Sequence, residues 1–242
     1  MRTFGVWMGL TWAATAAAGA AADPVAFFFG LPRPAGASLD VVLTEGGKAP
    51  THGLLDLKRE AGSTLYRVEM VDGPQKGTRA LLDLRLDGGA DHLYAFRPAL
   101  GVEAVSYKQL VTRFHALGVP LQDLVDIVQP ERAGARAAWS GSATGAELAV
   151  QAPADAAGCR DTWVFPSASA ALPSRASLCA EAPWGAREAT FSGEVVLGDA
   201  KLPSTIALRE ATGRSVTVQL SPSATARWQA AGRFDRSALS SP

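Results

Sequence analysis

The sequence predicts a mainly β fold of the α+β class: a single large curved antiparallel sheet, or half-barrel, of about ten strands, covered by two or three short helices. The first observation is alternation of apolar and polar residues with a period of two, which is typical of a sheet with one buried face. For example, Leu82, Leu84 and Leu86 alternate with Asp83 and Arg85. The second observation is that two short amphipathic segments with clear boundaries follow these strands and could cover the apolar face.

Turn residues separate the predicted strands. We expect strands over 39–45, 51–60, 64–72, 79–87, 92–96, 147–151, 162–165, 175–179, 188–197, 204–210 and 215–221. Gly46-Gly47 and Gly73-Pro74 are among the breaks between them. The remaining segments have different roles: residues 23–38 lead into the fold, 131–145 form a connection anchored by Trp139, 224–234 form a closing helix, and 237–242 are frayed.

Two helices are predicted after the fifth strand. Ser106 is a candidate N-cap, and Gln109 three residues later completes a capping box. The first helix ends at Gly118, and Pro120 suits the first turn of the next. Both helices are short and would be marginal alone, so we expect their apolar sides to dock on the sheet.

The first 22 residues have the pattern of a cleaved secretory signal. Arg2 is their only charged residue, Phe4–Ala18 is an apolar core, and Ala20–Ala22 supply small residues at the cleavage position. A retained membrane anchor is the alternative, but the apolar core is shorter than the roughly 20 residues of a spanning helix. We therefore expect residues 23–242 to form one half-barrel domain in the periplasm.

The charge balance argues against nucleic acid as a partner. Only Arg2 of the 23 Lys and Arg residues lies in the predicted signal, so 22 remain against 23 Asp and Glu, a net charge of −1. No basic cluster stands out, whereas nucleic-acid-binding domains concentrate Lys and Arg on one face.

Cys159 and Cys179 are the two cysteines. In an exported protein an even pair predicts a disulfide. The alternative, a metal-binding or reactive pair, is disfavoured because the cysteines lie twenty positions apart and no histidine is near them.

No catalytic, metal or cofactor site is predicted. The three histidines, His52, His92 and His115, are not spaced from other ligands as in a zinc site. Gly141–Gly145 has its serine misplaced for a nucleophile elbow, and the aspartates of the turn 87–91 suit a hairpin better than calcium. Catalytic groups can converge in space from distant positions, so an unrecognised envelope hydrolase stays an alternative.

Several short motifs carry a resemblance to a known family. They are the strand Tyr66–Val71, Lys76-Gly77-Thr78 with the apolar strand Leu81–Leu86, the aspartate–glycine hairpin, and the aromatic strand Leu93–Gly101 that ends in Pro-Ala-Leu-Gly before a helical insert. In these the chain resembles the LolA/LolB-like superfamily of bacterial lipoprotein carriers and receptors, in particular its outer-membrane lipoprotein-sorting branch. It departs from that branch at Val102–Val105, where basic residues are usual, and in 23–38, whose Gly and Pro residues disfavour the usual N-terminal helix.

The resemblance implies a non-enzymatic carrier or receptor in outer-membrane biogenesis, whose apolar concave face shields acyl chains of a lipid or lipoprotein. The lining residues would be Tyr66, Val68, Met70, Leu82, Leu84, Leu86, Tyr94 and Phe96, under a lid of Leu110, Phe114, Leu121 and Leu124. It implies a monomer without cofactor, with a membrane transport complex as a further candidate partner. The same residues could instead fill the core of a structural or protein-interaction module of the cell envelope.

Overall fold

The computed structural model describes residues 23–73, 76–86, 89–116, 120–121, 125, 129, 136–155, 157–179 and 186–240. The helices are α1, Pro24–Gly30, and α2, Tyr107–Ala116. The strands of the first half are β1 Gly36–Glu45, β2 Thr51–Glu60, β3 Ser63–Met70, β4 Arg79–Arg85, β5 His92–Arg97 and β6 Gly101–Ala104. Those of the second half are β7 Ser140–Thr144, β8 Glu147–Gln151, β9 Thr162–Phe165, β10 Arg175–Leu178, β11 Arg187–Ser192, β12 Val195–Leu197, β13 Ala200–Leu202, β14 Thr205–Glu210 and β15 Ser215–Pro222.

Thirteen of the described strands form one antiparallel sheet, in the order β6-β5-β4-β3-β2-β1-β15-β14-β11-β10-β9-β8-β7, and β12 and β13 form a separate ribbon. The last strand, β15, pairs with β1 along seven residue pairs and so joins the two halves of the chain. Strands β6 and β7 end the sheet on opposite sides and do not pair with each other, so the curved sheet stays open. The predicted fold class is confirmed.

The number of strands differs from the prediction for identifiable reasons. Strands β6 and β7 are short and lack apolar alternation: all five residues of β7 are exposed. The segment predicted as one strand over 188–197 is two strands, because Gly193 adopts a positive φ of 61° between β11 and β12. The Oγ of Ser204 occupies the space where a Cβ at this position would lie, which favours glycine.

Most of the buried apolar side chains form one cluster on a single face of the sheet, which we call the inner face. Leu57, Leu82, Ile206 and Val218 are among its members with 0% exposure. They come from both halves of the chain, so β1 and β15 lie in the middle of one continuous apolar surface.

The N-terminal segment 23–38 was expected to have a weak helix or none, and it contains a helix of seven residues. Pro24–Gly30 is helical, Pro24 occupies the first turn, and Asp23 caps the helix by accepting a hydrogen bond of 3.0 Å from the backbone N of Val25. Phe28 of this helix is 2% exposed and belongs to the inner-face cluster. The helix is stabilised by this burial because seven residues alone would not be stable.

The C-terminal strap, residues 223–240, crosses the opposite or outer face of the first half. It contains two 3-10 turns, Arg227–Gln229 and Arg236–Leu239, in place of the predicted closing helix. The prediction of a frayed end is also wrong within the described residues, because Leu239 is fully buried and its carbonyl accepts a hydrogen bond from Arg79.

Cys159 and Cys179 form the predicted disulfide, with their Cα atoms 5.9 Å apart. It links the chain just before β9 to the chain just after β10, two neighbouring antiparallel strands. No helix within the described ranges has the length and hydropathy needed to cross a bilayer. The predicted signal, residues 1–22, lies outside these ranges.

Candidate functional site

Five of the predicted lining residues share the inner face of the first half. Tyr66, Val68 and Met70 lie on β3, and Leu82 and Leu84 lie on β4. The strand register places Tyr66 opposite Leu82. All five side chains are at most 6% exposed. Protein atoms therefore surround them in this conformation, and a ligand could reach them only if the covering elements moved.

Tyr94 and Phe96 do not belong to this surface, and their predicted role is corrected. In the pairing of β4 with β5, Leu82 faces Leu93, whereas Tyr94 faces Leu81. Directly paired residues point to the same side of a sheet, so Leu93 and Ala95 take the inner positions. The guanidinium of Arg236 in the strap lies 5.0 Å from the Tyr94 ring centre, which confirms the outer placement.

Leu86 is corrected as well. Strand β4 ends at Arg85, and Leu86 is 39% exposed and lies outside the inner-face cluster. The alternation of apolar and polar residues in the sequence extends to Leu86, but the strand ends one residue earlier.

Helix α2 covers the inner face through residues that the sequence identified. The predicted capping box is present: the Ser106 backbone N donates to Gln109 Oε1 at 2.9 Å, and the Gln109 backbone N donates to Ser106 Oγ at 3.2 Å. Leu110, Phe114 and Leu121 are at most 2% exposed and belong to the inner-face cluster. Leu124, the fourth predicted lid residue, lies outside the described residues.

A buried polar contact joins this cover to the sheet. The hydroxyl of Tyr66 donates to Gln129 Oε1 at 3.0 Å, and Gln129 is fully buried. We refer to α2 with Leu121, Val125 and Gln129 as the lid. Gln129 could not be identified from the sequence, because a polar residue at the end of a predicted helix is ordinarily solvated.

An ionic cluster holds the C-terminal end of α2 against the β14–β15 hairpin. His115 Nε2 lies 2.7 Å from Glu210 Oε1, and Arg214 donates to the His115 carbonyl oxygen at 3.3 Å. The same guanidinium donates to Glu45 from Nε at 2.9 Å. The hydrogen bond from Arg214 holds the pKa of Glu45 below its ordinary value, with a smaller contribution from Lys48, although partial burial opposes the shift.

Helix α1 covers the inner face at the β7–β9 end of the second half, and its contacts there are mainly aromatic. Phe28 lies with its ring centre 5.3 Å from that of Trp139 and 5.5 Å from that of Trp163, and these two indoles stack at 5.5 Å. Phe27 contacts Phe165 edge to face. Helix α1 was not predicted from the sequence, although Asp23 and Pro24, an N-cap residue followed by a proline at the first helical position, are a signal for it.

A small cleft opens into this aromatic region. Phe28, Trp163 and Phe165 form part of its wall, together with the two cationic residues Arg33 and Lys201. Its internal space is about 30 Å³, room for one or two water molecules, so a larger ligand could enter only if the lining residues moved. Among the residues that the structure describes, no group of three or more His, Cys, Asp or Glu is placed to hold a metal ion.

Comparison with known proteins supports the architecture. No family model matches the sequence, and no curated protein matches it significantly. Three solved structures are similar in fold. An outer membrane lipoprotein-sorting protein domain from Vibrio parahaemolyticus has a TM-score of 0.61 at 15% identity, over 84% of this chain and 90% of that chain. A DUF1329 family protein from Desulfovibrio piger has a TM-score of 0.66 at 12% identity, over 89% and 96%. A LolA superfamily protein from Nitrosomonas europaea has a TM-score of 0.51 at 11% identity, over 78% and 84%. The chain therefore has the fold of LolA-like lipoprotein-sorting domains, as its motifs predicted.

Proposed function

We propose that this protein is an exported carrier or receptor that binds lipid or lipoprotein acyl chains on its inner face and has no catalytic activity. The observation that carries the proposal is the continuous apolar inner face with separate covering elements, the lid over the first half and α1 over the β7–β9 end of the second. The fold shared with lipoprotein-sorting domains and the disulfide, which suits an oxidising compartment, support it.

The physical basis is the hydrophobic effect. Each CH₂ group that moves from water to an apolar surface contributes about 0.8 kcal/mol. Tyr66, Leu82 and Leu84 are buried in one cluster with Leu110 and Phe114, and on opening, the contacts within this cluster would be exchanged for contacts with an acyl chain. When a ligand replaces the lid side chains, the apolar inner face stays covered, so opening of the lid exposes little apolar surface to water.

The near-complete burial of the inner face is also the observation that favours a second candidate, a non-catalytic structural or protein-interaction module of the cell envelope. In that case the side chains at 0% exposure, such as Leu82 and Leu84, form a permanently filled core. The two candidates differ in whether the inner face ever accepts a ligand.

A fatty acid with a photoactivatable diazirine at its chain end distinguishes them. After irradiation and proteolysis, mass spectrometry identifies the labelled residues. The carrier predicts labelling of Met70, Leu82 or Leu84 that excess unlabelled fatty acid abolishes. Leu81 and Tyr94 are internal controls, because they lie on the outer face of β4 and of the neighbouring strand β5. No labelling, or labelling confined to the outer face, would contradict the carrier.

A substitution test complements the labelling. Leu84→Asp places a charge on the inner face and should abolish fatty-acid uptake. Because burying an unpaired charge is costly and could unfold the protein, circular dichroism is used to check that the variant is folded. Unchanged uptake by a folded variant would remove this part of the inner face from the binding site.

A further inference from the structure

We infer that the outer face carries a second binding site, a cleft between the strap and strands β3–β5 that binds a small zwitterion with an apolar body, such as an α-amino acid with an apolar side chain. Asp83 binds the ammonium group of this ligand and Arg236 binds its carboxylate. The inference does not depend on the proposed function, because the cleft lies on the opposite side of the sheet from the inner face.

The cleft has the size of a ligand site. Its internal space is about 360 Å³, against about 30 Å³ for the small cleft at the aromatic region. Ligand sites in proteins commonly have volumes of about 300–1,000 Å³. Leu65, Leu81 and Tyr94 line it from three neighbouring strands, and Phe234 lines it from the strap. The space therefore admits an apolar body much larger than water without movement of the sheet or the strap.

The polar part of the wall carries both signs of charge. The acidic residues Asp83 and Asp235 and the cation Arg236 line the cleft, and His92 lies opposite Asp83 in the pairing of β4 with β5. A ligand that carries one positive and one negative group beside an apolar body matches such a wall, whereas a ligand with one charge leaves one of the two signs without a partner.

Asp83 has an unmet requirement for a hydrogen-bond donor. Its Oδ1 is buried and has no hydrogen-bond partner among the described residues, although the side chain as a whole is partly exposed. A buried carboxylate oxygen is ordinarily hydrogen bonded, and leaving it unpaired is unfavourable. Rotation about χ2, which is soft for aspartate, can turn this oxygen toward the cleft. A ligand ammonium group, with three N–H donors, supplies what the carboxylate lacks.

Arg236 has donors available for a carboxylate. Its guanidinium lies 5.0 Å from the centre of the Tyr94 ring, and within the part of the chain that the structure describes it makes no hydrogen bond or ion pair. The planar guanidinium suits a carboxylate, which it can bind through two parallel hydrogen bonds. The side chain of Asp235, the residue before it, does not cap the 3-10 turn that follows and is exposed, so this carboxylate can help to hold the ammonium group.

The strap side of the cleft is fixed before any ligand binds. Residues 234–236 lie between two anchors: Arg233 donates to the buried Asp56 at 2.7 Å, and carbonyl oxygens further along the strap accept from Arg67 at 3.1 Å and from Arg79 at 2.9 Å. The segment that carries Phe234 and Arg236 is therefore held across the strands, and little conformational freedom is lost when a ligand binds beneath it.

The test titrates the isotope-labelled protein with L-phenylalanine, with phenethylamine, which lacks its carboxylate, and with 3-phenylpropanoate, which lacks its ammonium group. Amide chemical shifts in NMR spectra locate and quantify binding up to about 10 mM, since ligands of this size bind in the millimolar range or more tightly. Phenylalanine should shift the amides of Leu65, Tyr94 and Phe234. Its affinity should exceed that of either analogue about tenfold, as expected for charge-assisted hydrogen bonds.

Two variants separate the roles of the charges. Asp83→Asn should weaken phenylalanine and phenethylamine about tenfold and change 3-phenylpropanoate less than twofold. Arg236→Gln should weaken phenylalanine and 3-phenylpropanoate and leave phenethylamine unchanged. The matched control is Glu188→Gln/Arg209→Gln, which removes one exposed charge of each sign from a directly opposed pair on β11 and β14 and should have no effect.

The outcomes that overturn the inference are distinct from those that bear on the carrier. They are no binding of phenylalanine, equal affinity for phenylalanine and either analogue, shifts confined to the inner face, and folded variants that weaken all three ligands equally, which indicates a structural role alone. The wild-type comparison requires no substitution, so it decides the matter even if a variant does not fold. Each of these results leaves the proposed binding of acyl chains on the inner face intact.

Discussion

The Asp56 carboxylate on β2 accepts a hydrogen bond of 2.7 Å from Nε of Arg233, a residue 177 positions later in the strap. Asp56 is fully buried, and Arg227 donates to its other oxygen at 3.1 Å. The outer face of the first half thus has its own charged anchor. The strap is held on that face by this ion-pair cluster, together with hydrogen bonds from Arg67 and Arg79 to strap carbonyl oxygens.

Replacing Asp56 should strongly destabilise the protein. Asp56→Ala leaves two cations without their shared carboxylate, and removing one partner of a buried ion pair typically costs about 3–5 kcal/mol. Urea unfolding measures the free energy directly. Asp40→Ala is the control, because Asp40 is 48% exposed and 3.5 Å from Arg227, and its loss should cost under about 1 kcal/mol. Equal costs for the two variants would show that the strap anchor does not stabilise the fold.

The strands of the first half were predictable from the sequence because each combines regular alternation with a Gly-containing turn. Strand β5 is the exception. Its two sets of alternating residues, Leu93 and Ala95 on one side and Tyr94 and Phe96 on the other, are both apolar, so the pattern identifies a strand but not its inner face. Only the register with β4 decides this. Tyr94 and Phe96 can be large on the outer face because the arginines Arg236 and Arg79 lie over their rings.

The candidate site was predictable only in part, and the missing part depends on long-range contacts. The lid residues Leu110 and Phe114 follow from helical spacing and a local capping box. By contrast, the aromatic cluster brings together Phe28, Trp139 and Trp163 from three distant segments. No local sequence pattern predicts contacts between segments so far apart. The position of the strap could not be predicted for the same reason, because its hydrogen bonds with Arg67 join residues more than 160 positions apart.

The contact between Tyr66 and Gln129 should control opening of the lid. Tyr66→Phe leaves Gln129 Oε1 buried without this donor, which destabilises the closed form by about 1–3 kcal/mol. The open form then becomes more populated, and stopped-flow uptake of a fluorescent fatty acid should be faster. Tyr94→Phe, on the outer face, is the matched control. Unchanged uptake in the Tyr66 variant, or an equal increase in both, would argue against this role.

The disulfide should contribute substantially to stability. Cys159 and Cys179 close a loop with a sequence separation of 20 residues, for which restriction of the unfolded chain predicts about 3 kcal/mol. Cys159→Ser/Cys179→Ser should lower the free energy of unfolding by this amount. Wild-type protein in reductant should approach the variant, while the variant itself should not respond to reductant. A response of the variant would point to a reductant effect unrelated to this bond.

Glu45 should stabilise the protein above its pKa and not below it. Because Arg214 lowers the pKa of Glu45 in the folded state, this stabilisation is present above the unfolded value of about 4.3 and is lost as the pH falls through the folded value. Glu45→Gln should cost up to about 1 kcal/mol at pH 7 and have a diminishing effect toward pH 3. Glu60→Gln, at an exposed pair with Lys58, should have little effect at either pH.

Asp161 should show the opposite pH dependence. Burial raises the pKa of its carboxyl above the ordinary value, against the hydrogen bond from the Cys179 backbone N and the charge of Arg187. Between the unfolded and the folded pKa the native state therefore binds more protons than the unfolded chain, and the free energy of unfolding falls as pH rises. Ionisation of Asp161 thus opposes folding from about pH 4 upward.

The variant Asp161→Asn isolates this effect. The amide oxygen still accepts from Cys179, which lies 2.6 Å from Oδ1, but no charge forms at this position. Relative to the variant, the wild type should lose stability as the pH is raised from 3 to 7 in a series of urea unfolding curves. Because the hydrogen bond is retained, any difference that varies with pH reports the buried charge. A difference that is constant over this range, or that favours the wild type at neutral pH, would mean that Arg187 and the Cys179 amide outweigh the burial of the carboxylate.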